Sequence, residues 1–332
     1  MSDASGRRLG AYDLLDVLHH GPTSTTYRGR AGDRPLAVTV FEGQREPAVV
    51  DALLQEILAV ARLRHPNITR IQDAGAQDGQ VFFVEEQRPG QTLADLPRVG
   101  LDPAGAVSVL AAVLSGLGHA HSAGVVHQNV TPRHIVISPP FRPVLTDFAI
   151  GRGLPLEPSG AAGQRMVIGT PAYLAPEQAF GLPADPRSDL YSAGVVLFEL
   201  LTGHAPFEGS DPGTVLRDQA TRQPPTLRGF RPDLPEFLED VVQRVLAKDP
   251  RRRHQNAADL IADLTAVSHG AHARPPDTIA SDYSGGVSAF SEGRWEEAVE
   301  LLTRVADADP GYEDVEDLLS AAEAALGAAP DG

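Results

Sequence analysis

The run Val126-His127-Gln128-Asn129-Val130-Thr131-Pro132-Arg133-His134 brings two imidazoles and two amides close together, and a carboxylate follows at Asp147. Imidazole and carboxylate groups move protons and ligate divalent cations. Asn129 does neither: a neutral amide has no basic lone pair near neutral pH, so it orients a hydroxyl but cannot take its proton. Further along stand Asp147-Phe148-Ala149, the run Gly169-Thr170-Pro171-Ala172-Tyr173-Leu174-Ala175-Pro176-Glu177, then Asp189 ahead of Tyr191, Ser192, Gly194 and Val195, and last Lys248-Asp249-Pro250 with Arg253.

In this order, from roughly Tyr12 to Ala266, these pieces resemble the bacterial serine/threonine protein kinases. Asp147 matches the metal-binding Asp of the D-F-G element and Glu177 closes the A-P-E element. The resemblance implies structural roles for four residues: Glu177 pairs with Arg253, and Asp189 braces the backbone around His127. It also shows what is altered. Where the family's catalytic loop reads H-R-D-x-x-x-x-N, Asn129 stands in the Asp position and His134 in the metal-binding Asn position, with Thr131 a further altered position between them. Gln128 replaces the Arg that receives an activation-loop phosphate.

Phosphoryl transfer depends on positioning and on charge stabilisation around the phosphates. The strand that resembles V-A-I-K reads Leu36-Ala37-Val38-Thr39, so Thr39 occupies the Lys position. The glycine-rich positions fall on His19, Gly21 and Ser24, and Pro22 removes a backbone donor beside them. What the resemblance leaves of a nucleotide cleft is Gly21, Glu56, Glu86 and Asp147. Aligning Glu86 with the family's hinge Glu puts Glu85 at the gatekeeper position, where a carboxylate would make the cleft anionic. No cofactor is expected, and no catalytic position is intact. The alternative is weak ATP binding with magnesium or manganese through Asp147. For Asp147 with His134 there are two readings: ligation of a divalent ion softer than magnesium, or local hydrogen bonding by His134.

The elements that must position these groups are legible in the patterning. Tyr12 to Phe41 reads as short strands, Val50 to Arg64 as a helix with apolar spacing at Leu53, Leu54, Ile57, Val60 and Leu63, and Val81 to Val84 as a further strand. From Ala106 the pattern turns helical, as it does at Tyr191 to Leu201 and Phe237 to Leu246. The expected fold is α+β: a two-lobed protein-kinase-like fold with a β-rich small lobe and an α-helical large lobe, followed by a short all-α helical hairpin. The boundaries are an N-terminal tail at 1–9, the kinase-like domain at 10–267, a proline-containing linker at 268–280 and a helical repeat at 281–328. Gly286, Gly293, Trp295, Ala298 and Pro310 match the small, aromatic and terminating positions of a tetratricopeptide repeat. Trp295 and Tyr312 are its candidate partner-binding residues.

Composition limits the function classes. The 332 residues carry 44 acidic against 28 basic side chains, and from Ser281 onward 13 acidic residues face only Arg294 and Arg304. Such a surface repels nucleic acid and anionic lipid and suits a basic protein partner. There is no cysteine, which removes disulfides, thiolate metal sites and cysteine nucleophiles. No signal core and no uninterrupted apolar run of bilayer length are evident, so a cytoplasmic chain without membrane insertion is expected. The function expected is that of a catalytically impaired kinase-like protein, a pseudokinase, serving as a protein-binding, scaffolding or regulatory module in bacterial signalling, with a kinase or a basic protein as partner. The alternative is an atypical serine/threonine kinase, or a nucleotide or metal sensor.

Overall fold

Side chains alternate across a strand, and the stretch from Tyr12 to Phe41 uses that alternation to bury one face. Strands β1 (Arg8–Leu9), β2 (Tyr12–His20), β3 (Ser24–Ala31) and β4 (Arg34–Phe41) run antiparallel in succession, and β5 (Ile71–Gln77) and β6 (Gln80–Glu86) complete a six-stranded sheet in the order β1-β2-β3-β4-β6-β5. Leu14, Tyr27, Leu36, Val38, Val40, Phe82 and Val84 share one buried cluster. The intervening Ala37, Thr39, Phe83 and Glu85 therefore belong to the opposite face. Helix α1 (Pro47–Ala61) follows β4, opens with proline at its first turn, buries Leu53, Ile57 and Val60, and lies beside β5 and β6.

The computed structural model describes residues 7–20, 24–41, 43, 45–97, 100–139, 141–148, 170–266, 276–291, 293–308 and 315–328. It divides into two units, Met1–Ala262 and Asp263–Gly332. In the first, the six-stranded sheet and α1 form the small lobe. The large lobe begins with β7 (Gln91–Thr92) and α2 (Pro103–Ser122), and β7 pairs with β8 (Ile135–Ser138), which pairs with β9 (Arg142–Leu145). Helices α3 (Pro176–Ala179), α4 (Pro186–Thr202), α5 (Pro212–Thr221), α6 (Leu227–Phe230) and α7 (Glu236–Val245) follow, and then α8 (Ala257–Ala266), within which the division between the units falls. The lobes are joined where the turn after α1 meets β9: Leu145 N–H donates to the Asn67 carbonyl and Thr69 N–H to the Leu145 carbonyl, both at 2.8 Å.

Helix α4 is apolar around most of its circumference and buried from Ser188 to Glu199, which makes it the spine of the large lobe. Asp185 caps its N-terminus through the Arg187 N–H, and Gly203, at φ +81°, ends it in the left-handed conformation that glycine adopts without a steric penalty. Helix α2 is a long, apolar helix of the large lobe. By length and composition it is apolar enough to cross a membrane, but Val109, Leu110, Val113, Leu114 and Leu117 are buried in the fold, the pattern of a core helix.

The second unit holds α9 (Pro276–Ser291), α10 (Trp295–Ala308) and α11 (Val315–Ala328), closed over Ala289, Ala298, Leu302, Val305, Val315 and Ala322. A Cβ at Gly286 would sit 2.8 Å from the Leu302 side chain, so a larger residue there would push α9 off α10. Gly293 turns the chain between these helices at φ +74°, and the Phe290 and Trp295 rings meet edge to face with centroids 5.4 Å apart. The linker expected at 268–280 is shorter than that at its C-terminal side, because Pro276 opens α9 at a position where its missing N–H is no loss. Pro310 and Tyr312 lie outside the described residues.

Candidate functional site

The loop between α2 and β8 is held from below by one carboxylate. Buried Asp189, in the first turn of α4, accepts the backbone N–H groups of His127 and Gln128, both at 2.7 Å, and meets His121 Nε2 at 2.8 Å. Those bonds hold Gln128 at φ +62°, a conformation costing on the order of 1 kcal/mol for a residue with a side chain. Gln178 also donates to the Gln128 carbonyl, at 3.2 Å. His127 is sealed: Nε2 donates to the Thr146 carbonyl at 3.1 Å, Nδ1 accepts from Asn129 N–H at 3.2 Å, and its ring lies 4.3 Å from that of Phe148. Burial pushes this imidazole down to about 4. With both nitrogens engaged and no affinity for a proton at neutral pH, His127 is a structural residue.

Asn129, His134 and Asp147 meet at the head of the loop. Asn129 Nδ2 donates to Asp147 Oδ2 at 3.4 Å, and His134 Nε2 stands 3.1 Å from the same oxygen. His134 Nδ1 faces the Asn129 carbonyl at 2.8 Å and the Thr131 hydroxyl at 3.1 Å, while Thr131 itself is buried. A carbonyl only accepts, so Nδ1 donates, and the contact with Asp147 is attractive when the ring carries both protons. Asp147 sits at φ +57°, which Asp tolerates better than most residues. The two candidate metal ligands are thus adjacent and engaged with each other. Among the described residues no group of three His, Cys, Asp or Glu side chains is placed to hold a metal ion.

Above them, the face of the small-lobe sheet opposite its buried cluster lacks a lysine. Thr39 is buried on β4, and its hydroxyl pairs with that of Thr26 on β3 at 2.9 Å, directly across the ladder. The chain has one lysine, Lys248. Its ammonium donates to the Tyr191 hydroxyl at 3.0 Å and to the Gln219 carbonyl at 2.8 Å, in the large lobe, and burial pushes it down to about 8. Glu56 is an exposed residue of α1, and Arg28 pairs with Asp16 at 3.4 Å. At the end of β6, exposed Glu86 stands 3.6 Å from Arg88. Gly21 and Pro22 lie outside the described residues, while His19 is on β2, near enough to feel Asp147, with burial pushing its imidazole down.

Glu85 corrects the expectation of an added negative charge. Burial, reinforced by the nearby Asp147 carboxylate, pushes its carboxyl up to about 8, so at neutral pH it is mostly protonated. It brings a neutral acid to the gatekeeper position.

The family model for the protein kinase domain matches residues 12–263. The chain belongs to the protein kinase family. Its relatives include the serine/threonine-protein kinase PknL of Mycobacterium tuberculosis, 35% identical over 75% of this chain and 63% of that protein, and PrkC of Bacillus subtilis, 31% identical over 78% of this chain. This chain spans 41% of PrkC. Among solved structures, the PknI kinase domain of M. tuberculosis superposes with a TM-score of 0.60 at 25% identity, covering 81% of this chain and all of that one.

The kinase frame is also held by a largely buried ion pair between Arg253 and Glu177. Arg253, with its side chain fully buried, donates to both oxygens of Glu177 at 2.8 Å and also to the carbonyls of Arg187, Ala247 and Lys248. Burial alone would push the Glu177 carboxyl up; the bidentate Arg253 and the Ser188 hydroxyl outweigh it and hold it below its usual range. Three residues essential to this geometry do not stand out in the sequence. Thr26 is detectable in principle, since pairing β3 with β4 places it opposite Thr39. His121 and Gln178 are not, because their partners Asp189 and Gln128 are brought to them only by tertiary packing.

Proposed function

We propose that this member of the protein kinase family is a pseudokinase, a kinase fold that works as a protein-binding, scaffolding or regulatory module in bacterial signalling. One observation carries the reading. The position of the phosphate-binding lysine is filled by Thr39, closed onto Thr26, and the only lysine of the chain is held by Tyr191 and Gln219 in the large lobe. No lysine is left to neutralise a triphosphate. The catalytic loop agrees, since Asn129 offers Asp147 an amide where a general base is required, and loss of a base alone costs about a hundredfold to ten-thousandfold. The second unit, read as a tetratricopeptide-like repeat, adds an acidic surface for a partner, either a kinase or a basic protein. The proposed setting is the cytoplasm.

The test is phosphate transfer from labelled ATP to a generic serine/threonine peptide, with magnesium and then manganese. Wild type and the Asp147→Ala variant should both stay at background. Transfer by wild type that Asp147→Ala abolishes would overturn the reading.

That outcome would favour a second reading, an atypical serine/threonine kinase or nucleotide sensor retaining weak ATP binding. Two observations favour it: the relatives named above are called serine/threonine-protein kinases, and Asp147 and His134 are neighbours at 3.1 Å. An ATP-dependent thermal shift without turnover would identify the sensor.

A further inference from the structure

On the side of the first unit formed by α2 and the β8–β9 hairpin lies a cavity of about 280 Å³, lined by Asn67, Ser108, Val109, Ala112, Phe141, Arg142 and Pro143. None of its described lining residues belongs to the Asn129, His134 and Asp147 cluster. Its floor is apolar, from Val109, Ala112 and Pro143. Its polar groups are the Asn67 amide, which donates to the Pro143 carbonyl at 2.7 Å, the exposed Ser108 hydroxyl and the Arg142 guanidinium. No carboxylate is among the described lining residues, and Arg142 is exposed with no ion pair among the described residues. The cavity wall is therefore cationic, although the chain as a whole carries a formal charge of −16.

The lip is Phe141, which is 59% exposed and sits at φ +153°. A bulky side chain rarely adopts a positive φ, and such strain persists only where surrounding structure enforces it. The ring is exposed and lines the cavity together with Val109, Ala112 and Pro143. The volume suits one or two side chains of a peptide and falls below the range of typical small-molecule sites.

We propose that this cavity is a docking site for an acidic peptide segment of a partner protein. An apolar side chain of the partner fills the floor against Phe141, and an adjacent Asp or Glu pairs with Arg142. The inference rests on the protein-binding reading and specifies a partner chemistry for it. The occupant follows from charge complementarity, since Arg142, without an ion pair among the described residues, lines a cavity that has no carboxylate among its described lining residues. It differs from the basic partner suited to the acidic second unit, so the two surfaces would select opposite charges.

The test uses the full chain and fluorescence anisotropy, with two labelled, end-capped peptides: Glu-Leu-Glu flanked by serines, and the same peptide with lysine in place of each glutamate. The expected result is saturable binding of the glutamate peptide in the micromolar to millimolar range, and at least tenfold weaker binding of the lysine peptide. Arg142→Glu should weaken the glutamate peptide at least tenfold and strengthen the lysine one. Because Phe141→Gly relieves the backbone conformation while removing the ring, it should weaken binding with no loss of melting temperature. No binding of the glutamate peptide at millimolar concentration would overturn the proposal, as would binding that Arg142→Glu leaves unchanged. Either result would leave the pseudokinase reading intact, because that reading stands or falls on the phosphate-transfer assay.

Discussion

Glu85 shows how a single partly buried group leaves a pH signature. In the unfolded chain its carboxyl titrates near the ordinary value of 4.5, and in the native fold burial and Asp147 move it to about 8. Between those values the native state keeps a proton that the unfolded state has lost, so the group's contribution is fully present below pH ~4.5 and is lost as pH rises through the native value. Glu85→Gln removes this dependence. Urea melts should match wild type near pH 4.5 and show the variant more stable by a few kcal/mol above pH 8, since each tenfold change in proton affinity is worth about 1.4 kcal/mol. A difference of the same size at both pH values would mean that the substitution acts through packing. Glu177 behaves oppositely, because it is ionised and paired. Glu177→Gln leaves the buried Arg253 charge without its counter-ion and should cost about 3–5 kcal/mol. At roughly 2–4 °C per kcal/mol for a domain of this size, the thermal midpoint should fall by about 10 °C. A drop of only a degree or two would show that the three carbonyls around Arg253 satisfy it unaided.

Elements are legible wherever periodicity and burial coincide. The α1 spacing at Leu53, Ile57 and Val60 corresponds to the face that the helix buries, and the alternation along β4 separates Val38 and Val40 from Thr39. The boundary at Pro276 is not legible, because proline and small residues signal both a linker and a helix start, and composition does not distinguish them. Within the second unit the legible feature is Gly286. Its close approach to Leu302 gives a test of the α9–α10 packing. Gly286→Val adds two methyl groups and a β-branch where even a Cβ is too close, and overpacking of this kind costs about 1–3 kcal/mol. The variant should lose helical circular dichroism at a lower temperature than wild type. Gly285→Ala, whose Cβ would lie 3.3 Å from Leu301, should fall much less. Equal losses would mean that the glycines matter only as helix breakers.

For the molecule as a whole, what is readable from sequence is the kinase frame and what is not is its electrostatics. Asp189, Glu177 and Arg253 belong to motifs of fixed order, and each lies at a junction of the large lobe. The protonation of Glu85 and the engagement of His134 by Asp147 depend on which groups folding brings close together, and no linear pattern encodes that. Together these features bear on nucleotide affinity. A polyanion entering the cleft would meet Asp147, the hydroxyl pair of Thr39 and Thr26, and no lysine, in a chain of formal charge −16. A ligand that binds only the native state at a hundred times its dissociation constant stabilises it by about 2.7 kcal/mol. In a domain of this size that is a rise of roughly 5–10 °C. Melts of the full chain with millimolar ATP, alone and with magnesium or manganese, should shift by less than about 1 °C, as mass action requires when the dissociation constant exceeds the ligand concentration. A shift of several degrees that appears only with the metal and disappears in Asp147→Ala would restore nucleotide binding to this cleft. It would also make His134 the next residue to change, because His134→Asn would then supply the amide that the family places beside the D-F-G carboxylate.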